Sequence, residues 1–144
     1  NAVFGSGKSF TEQTFLTAIN QAINDAKTLL GTQGATSAVD RVHTVLHGYL
    51  KQVCNEAGLQ YAKDATLNQL MNLLKEKHSA FNIKNKEVEQ ILNSMANVLD
   101  KLNPVRNNSS LAHSNPVLLE PDEAMFVINT VNTLLGYLNS KISK

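Results

Sequence analysis

Arg106 and His113 frame the segment Arg-Asn-Asn-Ser-Ser-Leu-Ala-His and place a permanent cation and an imidazole seven positions apart. Arginine holds its charge at any working pH and bonds a phosphate bidentately, while an imidazole with a pKa near ~6.5 gives or takes a proton close to neutrality. Together those capacities suit RNA phosphate chemistry. A 2′-hydroxyl attacking its own phosphodiester needs only proton transfer and stabilisation of the developing charge. On a helix, seven residues at ~100° each return the two side chains to within ~20° of one another, about 10 Å apart along the axis. An adjoining loop can close that gap. The same pair has a purely structural account, in which Arg106 bonds the last carbonyls of the preceding helix and His113 caps a turn beside Asn115.

Other constellations compete. His43 and His47 stand at i and i+4, with Asp40 one turn earlier, a possible metal-ligand face that lacks a third committed ligand. No metal site is assigned to them. Measured from a stripe centred on Val39, Leu46 and Leu50, His43, His47 and Cys54 fall at ~40°, ~80° and ~60°, along one shoulder of the buried face. Such positions pack at a core boundary or line a cleft. Gly5-Ser6-Gly7-Lys8-Ser9 ends like a phosphate-binding loop, but the first glycine of that motif is Ala2 here and no strand precedes it. His78, in the run Lys75-Glu76-Lys77-His78, reads as a solvated helix end.

A length of 144 residues suits one domain, expected over 11–144, with 1–10 as a flexible leader whose Asn1-Ala2 reads as a cloning remnant. On that reading the chain is expected to be an excised piece of a larger protein. A net charge of +1 and a charged fraction of 17% lack the basic footprint of a non-specific nucleic-acid binder. Any RNA contact must come from a local patch, or from a groove that more than one chain assembles. The single Cys54 forms no intrachain disulfide, so a reducing compartment, the cytoplasm, is expected. No apolar run approaches the ~20 residues that span a bilayer, and no signal-peptide layout opens the chain.

The elements that must position these residues are helical throughout. Phe15, Leu16, Ile19, Ala22, Ile23, Ala26, Leu29 and Leu30 recur at three- and four-residue steps, with a soft start at Thr11 and Thr14 and a stop at Gly31. Val39, Val42, Leu46, Tyr49, Leu50 and Val53 form a second stripe that ends before Gly58, and Leu67, Leu70, Met71 and Leu74 a shorter third. Val88, Ile91, Leu92, Met95, Val98, Leu99 and Leu102 form the fourth, which Pro104 must end or kink because its preceding residue is pushed out of the α region. Ser114 to Glu120, punctuated by Pro116, should cross the surface as a connector. Pro121 then opens a last helix, with Asp122 and Glu123 at its positive end and Val127, Ile128, Val131, Leu134, Leu135 and Leu138 as its buried stripe. The predicted fold is an all-α antiparallel bundle of about five helices, with one excursion around the Arg-His segment.

This order of helix, Arg106-Asn107, five residues, His113 and closing helix resembles the HEPN superfamily (higher eukaryotes and prokaryotes nucleotide-binding). It is most similar to the C-terminal domain of bacterial abortive-infection proteins. The likeness runs from about Ala35 to Ile142, through the helix order, the Leu-rich segment Leu70 to Leu74 and the Arg-Asn-x5-His signature. It implies a twofold homodimer whose motifs face one another across a composite cleft, and a toxin-like endoribonuclease of phage defence that cuts RNA without a metal ion or other cofactor. Carried over to this chain, Arg106 binds or polarises the scissile phosphate, His113 transfers a proton with the 2′-hydroxyl or the leaving oxygen, and Asn107 orients the site. Asn108, Ser109, Ser110 and His47 are then substrate contacts. His47 aligns where relatives of the abortive-infection type often carry a glutamate, so an orienting group is changed in kind. Other superfamily members are non-catalytic dimerisation or nucleotide-binding modules, or partners of a nucleotidyltransferase-type antitoxin, and the polar run Asn108-Ser109-Ser110 is compatible with binding alone.

Overall fold

The computed structural model describes the backbone of residues 2–108 and 119–143, and the side chains of 17–98, 100–101 and 119–143. Along the chain run α1 (Ala2–Thr32), α2 (Ala35–Glu56), α3 (Leu67–Lys77), a 3-10 turn (Ser79–Phe81), α4 (Lys86–Asn108) and α5 (Pro121–Ile142). There is no strand among the described residues, and the five helices form the all-α bundle that the apolar period predicts. None of the helices searched is long and apolar enough to cross a membrane.

The central element is α2, which touches α1, α3, α4 and α5. Its expected stripe of Val39, Val42, Leu46, Tyr49, Leu50 and Val53 is buried in full, joined by Ala38, His43 and Cys54 because neighbours stand on several sides. A Schellman motif ends it: Gly58 takes φ 72°, its N–H donates to the Asn55 carbonyl at 3.1 Å, and Leu59 N–H donates to the Cys54 carbonyl at 2.9 Å. The reversal between α1 and α2 falls later than the sequence predicts. Gly31 lies inside α1, and Gly34 at φ 95° makes the turn while its N–H donates to the Leu29 carbonyl at 3.0 Å. Glycine within a helix costs only about 1 kcal/mol relative to alanine, so it need not stop one; the left-handed position is what demands it. The α1 backbone also begins at Ala2, ahead of the start expected at Thr11, and Gly5-Ser6-Gly7-Lys8-Ser9 is helix rather than loop.

At the start of α3, Thr66 Oγ1 accepts from Gln69 N–H at 3.1 Å and Gln69 Oε1 accepts from Thr66 N–H at 2.9 Å, a complete capping box. The four residues predicted for the α3 stripe, Leu67, Leu70, Met71 and Leu74, are all buried. His78 is a cap rather than a solvated end: its Nδ1 accepts from Ala80 N–H at 3.1 Å, and its ring lies edge-on to Phe81 with centroids 5.3 Å apart. Pro121, Asp122 and Glu123 open α5 as expected, and its predicted stripe is buried with Ala124 added.

The buried stripe of α4 departs most from its pattern. The helix continues through Pro104 to Asn108, so of the two expected outcomes, an end or a kink, the end does not occur. Proline removes one N–H and crowds the carbonyl four residues back, at Asp100. That turn is anchored from outside, because Asp100 Oδ2 accepts from Asn68 N–H at 2.8 Å. Of the predicted α4 stripe, Leu92 is buried, but Val88, Ile91 and Val98 are 38%, 60% and 42% exposed; Ala96 packs inward. Leu99 and Leu102 lie outside the described side chains.

Two outcomes follow from the core. Leu70 is fully buried, so Leu70→Ala is expected to destabilise the domain by about 2–5 kcal/mol, read as a lower urea midpoint at unchanged slope. Burial pushes the Cys54 thiol pKa up by disfavouring the thiolate. A thiol-specific reagent at neutral pH is therefore expected to label Cys54 in urea and to leave the native protein unlabelled over the same time.

Candidate functional site

Arg106, Asn107 and Asn108 occupy the C-terminal end of α4, while their side chains and all of Ser109, Ser110 and His113 lie outside the described residues. What the structure gives is the frame that holds this end of the helix. Asp100 sits six residues before Arg106, and its Oδ2 accepts from the N–H of Asn68 in the first turn of α3. A carboxylate there meets the positive end of the helix dipole. Its Oδ1 is buried and finds no hydrogen-bond partner among the described residues. Further back, Lys75 Nζ donates to Asn93 Oδ1, so α3 and α4 are tied at two levels.

The same connection that leads into α3 holds His47. Its ring nitrogen Nε2 lies 2.7 Å from the Ala65 carbonyl oxygen. A carbonyl only accepts, so Nε2 carries the hydrogen and the ring is fixed in tautomer and orientation. His43, 8% exposed, lies one turn away with ring centroids 6.2 Å apart. The two imidazoles, with Thr44, Asp64, Thr66 and Leu67, line a cavity of about 240 Å³. Contacts thus run from His47 to Ala65, along the chain to Asn68, and across to Asp100 on α4. These contacts link His47 on α2 to the first turn of α3 and on to Asp100 of α4, a relation that spacing alone does not give.

Metal chemistry at the His43–His47 pair has no third ligand in the structure: among the described residues no group of three or more His, Cys, Asp or Glu is placed to hold an ion. Asp64, Thr66 and Asp100 were not legible as site residues from apolar periodicity. One signal was present. Thr66-Leu67-Asn68-Gln69 reads as a capping box and would have fixed the start of α3, and with it the loop that faces His47.

A second feature lies on the outer side of α4. Ile91, Met95 and Val98 meet Phe126 of α5, itself 62% exposed, in an open apolar groove of about 610 Å³ flanked by Glu87 and Thr130.

No curated protein and no solved structure matches the chain. A family model does, described as a HEPN-like domain (Abi-C) and matched over residues 17–141. The match takes in the second half of α1 as well as the part from Ala35 onward on which the resemblance rests. With helix order and family match in agreement over most of its length, the chain belongs to the HEPN-like (Abi-C) domain family.

Proposed function

We propose that the chain is a metal-independent endoribonuclease domain of an abortive-infection or toxin-like defence protein, acting as a twofold dimer with Arg106 and His113 of both chains in one cleft. Arg106 holds the scissile phosphate and offsets the charge that grows on its oxygens. His113 moves a proton at the 2′-hydroxyl or the leaving oxygen. The 2′-oxygen bonds to phosphorus, the bond to the 5′-oxygen breaks, and the products carry a 2′,3′-cyclic phosphate and a 5′-hydroxyl. Asn107 orients the arginine, and Asn108, Ser109, Ser110 and His47 contact the RNA.

The observation that carries this reading is the unbroken course of α4 to Asn108. It puts Arg106 in the last turn of a long helix, where a cation is favoured by the helix dipole, rather than on a free loop after Pro104. The same helix bears the exposed Val88, Ile91 and Val98. A partner seated on that strip would bring a second Arg106 segment with it. RNA incubated in EDTA, with the product ends assigned, tests the proposal.

The exposed groove between α4 and α5 favours a second reading, a non-catalytic HEPN-type module that dimerises, binds a nucleotide, or receives a nucleotidyltransferase-type antitoxin. Under it RNA stays intact, and Arg106→Ala weakens partner or nucleotide binding.

A further inference from the structure

The cavity beside His47 has a chemistry that phosphate contacts leave unused. It is lined by two imidazoles (His43, His47), two hydroxyls (Thr44, Thr66) and one carboxylate (Asp64), and among the described residues by no lysine or arginine. Asp64 repels phosphate, so an anion is a poor occupant. A flat heterocycle is a good one. At about 240 Å³ the space falls below the ~300–1,000 Å³ of drug-sized sites and suits one ring system. Histidine rings are among the side chains on which unstacked RNA bases rest. The His47 ring is already fixed by its 2.7 Å bond to Ala65, so little ordering remains to be done on binding.

Asp64 selects among the bases. A carboxylate accepts and never donates, and it is satisfied best by two parallel N–H donors. Of the four RNA bases, guanine alone presents such a pair, at N1 and N2 on one edge. The hydroxyls of Thr44 and Thr66 in the same lining offer donor and acceptor capacity for the rest of the base.

We propose that this cavity is a guanine subsite, which holds one base of the RNA whose backbone lies at the end of α4. The proposal rests on the ribonuclease reading for the RNA, and on the cavity alone for the base. Nucleosides separate the two, since they lack the phosphate that Arg106 would bind. The protein is titrated with guanosine, adenosine, cytidine and uridine while the ring resonances of His43 and His47 are followed, with His78 as a remote reference. Guanosine is expected to shift His43 and His47, to leave His78 in place, and to bind about tenfold more tightly than the other three. Asp64 is exposed, so Asp64→Asn should fold normally and lose that preference. Equal responses to all four nucleosides, no response up to saturated guanosine, or a guanosine preference that survives Asp64→Asn would each overturn the subsite. If guanosine binds selectively while RNA is never cut, the subsite stands and the ribonuclease reading falls. Cleavage without guanosine binding removes the subsite and leaves the ribonuclease reading in place.

Discussion

Replacing His113 by alanine is expected to slow RNA cleavage in EDTA by ~10²–10⁴-fold, the usual cost of losing one proton-transfer group. Arg106→Ala should lose at least as much, because no other side chain in the Arg106 to His113 segment carries a permanent positive charge to meet the growing charge on phosphate. Both variants should keep the helical circular dichroism and the sedimentation of the wild type, since neither side chain is an apolar core residue. Product ends distinguish mechanism from contamination: 2′,3′-cyclic phosphate marks attack by the neighbouring hydroxyl, and EDTA silences metal-dependent nucleases. If wild type and both variants are equally inert, and Arg106→Ala weakens nucleotide or partner binding, the domain is an interaction module. An Arg106→Ala protein that unfolds would instead give the arginine the helix-capping role.

The contrast between α5 and α4 shows what is legible in the sequence. Both carry apolar residues at helical spacing, and both form helices. In α5 the stripe from Val127 to Leu138 is buried, whereas in α4 Val88, Ile91 and Val98 stay exposed. Periodicity reports that one face of a helix seeks apolar company; it does not report whether the same chain supplies it. Glycine behaves similarly. Gly58 and Gly34 end helices because the backbone there needs positive φ, while Gly31, equally visible as a residue, needs nothing of the kind and sits within α1. At Pro104 the helix runs on past a residue whose local preference is to end or kink it, and the nearby Asp100–Asn68 bond joins partners thirty-two residues apart.

The candidate site divides along the same line. Helical spacing places His43 and His47 on a shoulder of the buried face, and one is buried and the other half-buried. Their cavity depends on a loop eighteen residues beyond His47, held by a bond to the Ala65 carbonyl, and backbone carbonyls have no sequence signature. Arg106 and His113 enter through their chemistry and a family likeness, and no apolar pattern determines how the segment between them is held.

Charge placed on the exposed face of α4 is expected to take the proposed dimer apart. In a twofold interface every residue enters twice, and a charge buried there without a partner costs about 3–5 kcal/mol. At 1.4 kcal/mol per tenfold, one such charge weakens association by ~10²–10⁴-fold, and Ile91→Asp or Val98→Asp, which places two in the interface, should weaken it by at least that much. The residues are 60% and 42% exposed in the single chain, so the monomer itself should lose little stability. An antiparallel crossing of two α4 helices between Ser94 and Met95 would set Ile91 of one chain opposite Val98 of the other, a self-complementary apolar contact. Sedimentation velocity across micromolar concentrations reads the shift directly. Cleavage should fall with the dimer and return at protein concentrations that restore it, because half a composite cleft lacks one of its two Arg106 segments. A wild-type chain that sediments as a monomer throughout this range and still cuts RNA, or an Ile91→Asp variant that remains dimeric, would remove α4 from the interface and leave each chain to work with its own arginine and histidine.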